Sequence, residues 1–178
     1  MHHDELWREY APNGQPLPGV GHPKAYFEQD HPTAICAYVQ VWLYRDTPTG
    51  RELLFQLRSP EVQNGNTWDI SAAGHINFGE TTLEAAIRES HEEIGAKIDP
   101  EKLEFTFSFK SVCSFQNVYI YNYTDQPDTF AFNDHEVSDL KWVPLASVPD
   151  FRKNGGMKPL LADRDFYWEL LLKHLNIQ

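Results

Sequence analysis

Cysteine is nearly absent from this chain of 178 residues, occurring only as Cys36 and Cys113. Two thiols give no disulfide framework, so the fold must rest on its own core, and this usage fits a reducing, cytoplasmic setting. Basic residues are scarce as well. Fifteen Lys and Arg stand against 26 Asp and Glu, for a net charge of −11, which argues against a broad electrostatic grip on nucleic acid. No apolar run is long enough to cross a bilayer, and the polar N-terminus shows no signal-like apolar stretch. Repeats and low-complexity tracts are missing, and His2-His3 is too short to read as a tag. What remains is a globular balance, 41% hydrophobic and 23% charged. The length suits one domain, 1–178, with a sizeable core.

The chemistry concentrates in residues 74–96, GHINFGETTLEAAIRESHEEIGA. At average residue usage, the spacing of Gly74, Glu80, Arg88, Glu89, Glu92, Glu93 and Gly95 would arise by chance roughly once in 10⁸ starts. Thr81 and Glu84 have capping-box spacing, and Leu83, Ala86, Ile87 and Ile94 form an apolar stripe at helical period. Gly95 suits a helix stop, and Asp99-Pro100 prevents continuation. The spacing therefore predicts a helix. On it Glu89, Glu92 and Glu93, at i, i+3 and i+4, share a face beside the stripe. Clustered carboxylates repel unless a cation sits among them, and hard oxygen ligands favour Mg²⁺ or Mn²⁺. The glycine-flanked loop 74–80 brings exposed backbone to the same place. The pattern points to metal-bound phosphate rather than to a solvated acidic face with an ordinary Arg88–Glu92 pair.

Around this segment the chain reads as strands over 34–44, 52–58, 68–72, 103–112, 118–123 and 139–143. Residues 1–32 read as an irregular N-terminal extension, 149–159 as irregular, and 160–175 as an amphipathic helix. Mixed strands with two helices place the fold in the α/β (α+β) class. Cys36 and Cys113 read as small core residues of strands. Trp42, Trp68, Tyr119, Tyr121 and Trp142 serve either as cross-strand packing or as a stacking platform for a base. Phe166-Tyr167-Trp168 suits either a homodimer contact or a core helix. His22, His31, His91 and His135 have no ligand spacing among them.

Residues 74–96 resemble the Nudix box, Gly-x5-Glu-x7-Arg-Glu-U-x-Glu-Glu-x-Gly-U, with every fixed letter present. Its two aliphatic U positions hold the small Ser90 and Ala96, so looser helix packing is expected, with Ile98 supplying some bulk. Residues 54–59 and 68–75 are similar to the branch related to isopentenyl diphosphate isomerase, and 136–143 resemble the late strand of many Nudix proteins. The resemblance implies a mixed β-sheet sandwiched between helices, with the box as loop–helix–loop. It implies a Mg²⁺-dependent (or Mn²⁺-dependent) hydrolase cleaving a diphosphate linkage in a nucleoside diphosphate derivative or related organic diphosphate. Glu89 and Glu93 match the principal metal ligands, Glu92 a further one, and the carbonyl of Gly74 or Ala73 completes the set. Glu80, Arg88 and Gly95 match the structural frame of the box. Glu136 falls where relatives place a late loop glutamate that reaches the metal or activates water, or is a surface acid. The catalytic residues are thus sought among Glu92, Glu93 and Glu136.

Arg58 and His75 are candidate substrate-binding residues, Arg58 being equally readable as a strand-end charge. For His75, substrate or loop hydrogen bonding is favoured over a metal-ligand role. An isomerase is the first rival. Those enzymes use a cysteine where this chain has Ala73 and a later glutamate where Asn117 falls. A non-catalytic diphosphate-binding module is the second, although such modules usually lose box glutamates. The expected partner is a small diphosphate, with neither nucleic acid nor membrane.

Overall fold

Strand Cys36–Thr47 sends Val39, Val41 and Leu43 to one face of a sheet and Trp42 and Tyr44 to the other, all buried. A strand apolar on both faces requires cover on both. The computed structural model, which describes residues 5–132 and 135–176, supplies it. The strands are β1 (Leu6–Trp7), β2 (His22–Pro23), β3 (Cys36–Thr47), β4 (Gly50–Arg58), β5 (Trp68–Asp69), β6 (Ala72–His75), β7 (Glu104–Lys110), β8 (Ser114–Asn122) and β9 (Val137–Pro144). The helices are α1 (Thr82–Ile94), α2 (Val148–Asn154), α3 (Pro159–Ala162) and α4 (Asp165–Asn176). The main sheet runs β5-β4-β3-β8-β7, with β6 added to β3 and β9 to β4. Only the β3–β8 pairing is parallel among those described.

Ala85, Ala86 and Ile94 of α1 cover the Val39 face. Val148, Tyr167, Trp168 and Leu171 of α2 and α4 cover the Trp42 face. The expected sandwich of a mixed sheet between helices is therefore present. Helix α1 begins in a reciprocal capping box between Thr81 and Glu84 and ends at Gly95 with φ 67°, a left-handed value that glycine adopts without strain. Ser90 and Ala96 do not loosen it. Both are fully buried, Ser90 Oγ donates to Ala86 O, and Ile98 packs against the same core.

Several sequence expectations need correction. Residues 1–32 are not irregular throughout: β1 pairs with β2, Tyr26–Asp30 form a helical turn, and Trp7 is buried with Phe27 and Cys36. Residues 149–159 contain most of α2, whose Pro149 sits in the first turn, where its missing N–H has no cost. The helix expected over 160–175 is two, α3 and α4, separated at Asp163-Arg164. Cys113 lies in the β7–β8 turn rather than in a strand. Tyr167 and Trp168 are core residues, which leaves only Phe166 of the expected dimer stretch exposed. His2 and His3 lie outside the described residues. Among the described residues no helix is long and apolar enough to cross a membrane.

The predicted strand 68–72 is broken into β5 and β6, and the reason positions the site. Along the side of β3 away from β8, Tyr44–Thr47 pair with β4 while Tyr38–Val41 pair with β6. The sheet forks there. Ser71, fully buried at the branch point, accepts the Leu43 N–H at 2.9 Å and donates to Leu54 O at 2.6 Å. Replacing Ser71 by Ala strands both backbone groups, each costing about 1–3 kcal/mol. Urea unfolding should show Ser71→Ala destabilised by about 2 kcal/mol or more; a change under ~0.5 kcal/mol would mean the fork closes without the hydroxyl.

Candidate active site

The open side of the fork receives the acidic face of α1. Glu93, 3% exposed, places one carboxylate oxygen between the branches. Its Oε2 accepts Ala73 N–H of β6 at 2.9 Å and Gln56 Nε2 of β4 at 3.3 Å. Glu89, one turn earlier, lies over Gly74. A Cβ at that glycine would stand 2.0 Å from the Glu89 carboxyl carbon, so a larger residue would turn the Glu89 carboxylate out of this position. Glu89 and Glu93 thus share one wall, formed with Ala73 and Gly74, of a cavity of about 800 Å³.

Arg88 holds the acidic face together. Its guanidinium grips both Glu80 oxygens at 2.7 and 2.9 Å, Glu89 Oε1 at 2.8 Å and Glu92 Oε2 at 2.9 Å, and donates to His75 O. Burial pushes the Glu80 carboxyl up, but Arg88 and the Asn77 N–H outweigh it and leave it below its ordinary value. For Glu89 burial wins over Arg88, and its pKa is raised from 4.5 to about 7. Glu92 is turned to Arg88 and is not among the residues lining the cavity. Glu136 does line it, on the turn before β9, with its backbone carbonyl accepting Ser59 N–H.

Arg58 also lines the cavity. Its Nη1 approaches Asp69 Oδ2 at 3.5 Å, and Lys158 Nζ reaches the same oxygen at 3.2 Å. Two cations thus share one buried carboxylate at the cavity wall, and Arg58 Nε also donates to Gln63 O. Neither Asp69 nor Lys158 is legible as a site residue in the sequence, since no local spacing links them. His75 is packed rather than presented: Trp7 stacks on the imidazole with 8° between the planes, and Tyr38 tilts against it. Burial, then the positive charges of Lys24 and Arg88, hold its pKa well below 6.5, so the ring is neutral. Its Nε2 makes no hydrogen bond among the described residues.

Of the aromatics considered as a stacking platform, Trp42, Tyr119 and Tyr121 are core, and Trp68 and Trp142 do not line the cavity. Trp7 and Tyr38 do, and the sequence pattern signals neither. Neither cysteine lines the cavity. Asn117 spends its amide on Tyr38 O, and the β8 residues lining the cavity are Ser114 and Gln116. The two groups an isomerase needs are therefore absent from their expected places.

The donor set fits a hard divalent cation: the carboxylates of Glu89 and Glu93, beside the carbonyls of Ala73 and Gly74. Among the described residues no three His, Cys, Asp or Glu side chains already form a cage, and the Arg88–Glu92 pair accounts for the missing third.

Glu89 gives a pH test. Between pH 4.5 and about 7 the folded chain keeps a proton that the unfolded chain releases, so this group's contribution to stability falls as pH rises through that window. In EDTA, the stability of Glu89→Gln relative to the unsubstituted protein should therefore grow from pH 5 to pH 7 and level off above it. A flat difference in urea unfolding across that range would show that Glu89 is not raised.

A family model described as NUDIX domain matches residues 37–163. Nudix hydrolase 3 of Arabidopsis thaliana is 34% identical over 126 residues, covering 64% of this chain and 16% of the plant protein. An isopentenyl-diphosphate Delta-isomerase of Cutibacterium acnes is 31% identical over 68 residues, 36% of this chain and 34% of that enzyme. The chain therefore spans well under two thirds of the length of these relatives. The crystal structure of DR0079 from Deinococcus radiodurans superposes with a TM-score of 0.67 at 24% identity, covering 89% of this chain and 96% of that one, and shows the same fold.

Proposed function

The chain belongs to the Nudix family, and from that premise we propose that it is a Mg²⁺-dependent hydrolase, with Mn²⁺ as the alternative ion. The substrate is a diphosphate linkage in a nucleoside diphosphate derivative or a related organic diphosphate. One observation carries the reading: Glu89 and Glu93 are brought through the sheet fork to a common cavity wall over Gly74. They would hold the cation with the Ala73 or Gly74 carbonyl. Such an ion, when bound, supplies charge neutralisation at the phosphates and lowers the pKa of a bound water.

The chain's own residues do the rest. Arg88 and Glu80 hold Glu89 in place, and the Ala73 N–H fixes the rotamer of Glu93. Arg58 and Lys158, which share Asp69 at the cavity wall, would be the cations that meet the phosphate oxygens. We assign proton acceptance to Glu136 over Glu92, because Glu136 faces the cavity and Glu92 is held by Arg88. A positioned base contributes ~10²–10⁴-fold.

Phosphate and monophosphate release is measured over nucleotide sugars, dinucleoside polyphosphates and isoprenoid diphosphates, with Mg²⁺ or with EDTA. Turnover should require metal and vanish in Glu93→Gln, whose amide oxygen can still accept the Ala73 N–H, so the melting temperature should stay within a few degrees. Glu136→Gln should lose ~10²–10⁴-fold in kcat. Unchanged turnover in Glu93→Gln would falsify the metal assignment, and isomer exchange on isopentenyl diphosphate would restore the isomerase reading.

A further inference from the structure

Residues 157–164 form one rim of the cavity, fixed at both ends to opposite margins of the sheet. At one end the Lys158 N–H donates to Trp68 O, and Lys158 Nζ reaches Asp69 on β5. At the other, Arg164 Nη2 donates to Ser111 Oγ at the β7–β8 turn, at 3.0 Å. Lys158, Leu161 and Arg164 are spaced by three, and all of them line the cavity. Between the two ends the floor is neutral: Gln40 of β3 and Gln116 of β8, whose carboxamides bond each other at 2.8 Å.

Arg164 is set apart from the other cations here. Lys24 pairs with Glu28, Arg58 and Lys158 share Asp69, and Arg88 answers three glutamates. In a chain with 26 acidic residues, no carboxylate among the described residues pairs with Arg164. Its guanidinium has a hydroxyl partner and the face of Phe109, 5.2 Å away. A partly buried cation with no counter-charge among the described residues, lining a cavity, gains most from an anion that a ligand brings.

Its position sets the scale of that ligand. From β6, which carries Gly74, across β3 and β8 to β7 is three strand spacings, about 14 Å. That exceeds a diphosphate and suits a sugar or nucleoside lying across the Gln40–Gln116 floor. We infer that Arg164 and Ser111 form a second anion subsite, binding a phosphate or carboxylate on the part of the substrate remote from the scissile diphosphate. The inference rests on the diphosphate reading of the Glu89–Glu93 wall.

The test uses probe pairs that differ in one anionic group: NADH with NADPH for a phosphate, and UDP-glucose with UDP-glucuronate for a carboxylate. Mg²⁺-dependent turnover and calorimetric affinity are measured for the unsubstituted protein and for Arg164→Gln. Lys102→Gln, at a side chain 73% exposed, serves as the charge control. The unsubstituted protein should favour the charged member of one pair at least tenfold, through KM rather than kcat. Arg164→Gln should remove that preference and Lys102→Gln should keep it. The responding pair identifies the anion. No preference in either pair, or one that survives Arg164→Gln, overturns the subsite. Absent turnover, with an Arg164-dependent preference still present in calorimetry, overturns hydrolysis and leaves the subsite standing. Absence of both turnover and binding for every probe overturns the two together.

Discussion

A forked sheet leaves buried backbone groups without strand partners, and that constraint organises the molecule. Where β4 and β6 diverge beside β3, the ladder cannot continue, and the groups left over at the branch point are sealed from water. Ser71 answers two of them at the branch point, and Glu93 answers the Ala73 N–H farther along. The same carboxylate that satisfies the fold therefore faces the cavity. Fold and chemistry meet in one side chain, which is why the acidic helix docks at this place on the sheet.

The second organising force is repulsion among the acids themselves. Glu80, Glu89 and Glu92 are gathered by a single guanidinium, whose planar fork reaches all of them where a lysine could not. The consequence is a graded site. Glu80 is stabilised in its ionised form, whereas Glu89, deeper and pressed against Gly74, is held nearer neutrality. An acidic wall built this way can accept a divalent cation without many kilocalories of self-repulsion being stored beforehand.

Legibility in the sequence followed distance along the chain. The capping box of Thr81 and Glu84, the Gly95 stop and the shared face of Glu89 and Glu93 are local relations, fixed by helical geometry and readable from spacing. The need for Gly74 was readable as a pattern, although its cause, the Glu89 carboxylate above it, was not. Residues 68–72 looked like one strand because nothing in Trp-Asp-Ile-Ser-Ala announces that the Ser71 hydroxyl replaces a ladder. Residues 149–159 look irregular by composition, yet Pro149 stands in the first turn of a helix, where it is tolerated. Trp7, Lys158 and Arg164 reach the cavity from the two ends of the chain, and no periodicity encodes such meetings.

Arg88 also constrains how this protein can change over generations. Because one residue neutralises several acids and caps the His75 carbonyl, its loss would leave like charges facing one another in a partly buried cluster. Loss of any one acid shifts the balance for the rest. Loss of Arg88 is therefore the costly single step at this helix face, whereas neutralising one acid leaves the others their shared partner. Lineages descending from this sequence should vary freely at exposed positions such as Val112 while the Glu80–Arg88 pair moves together or not at all.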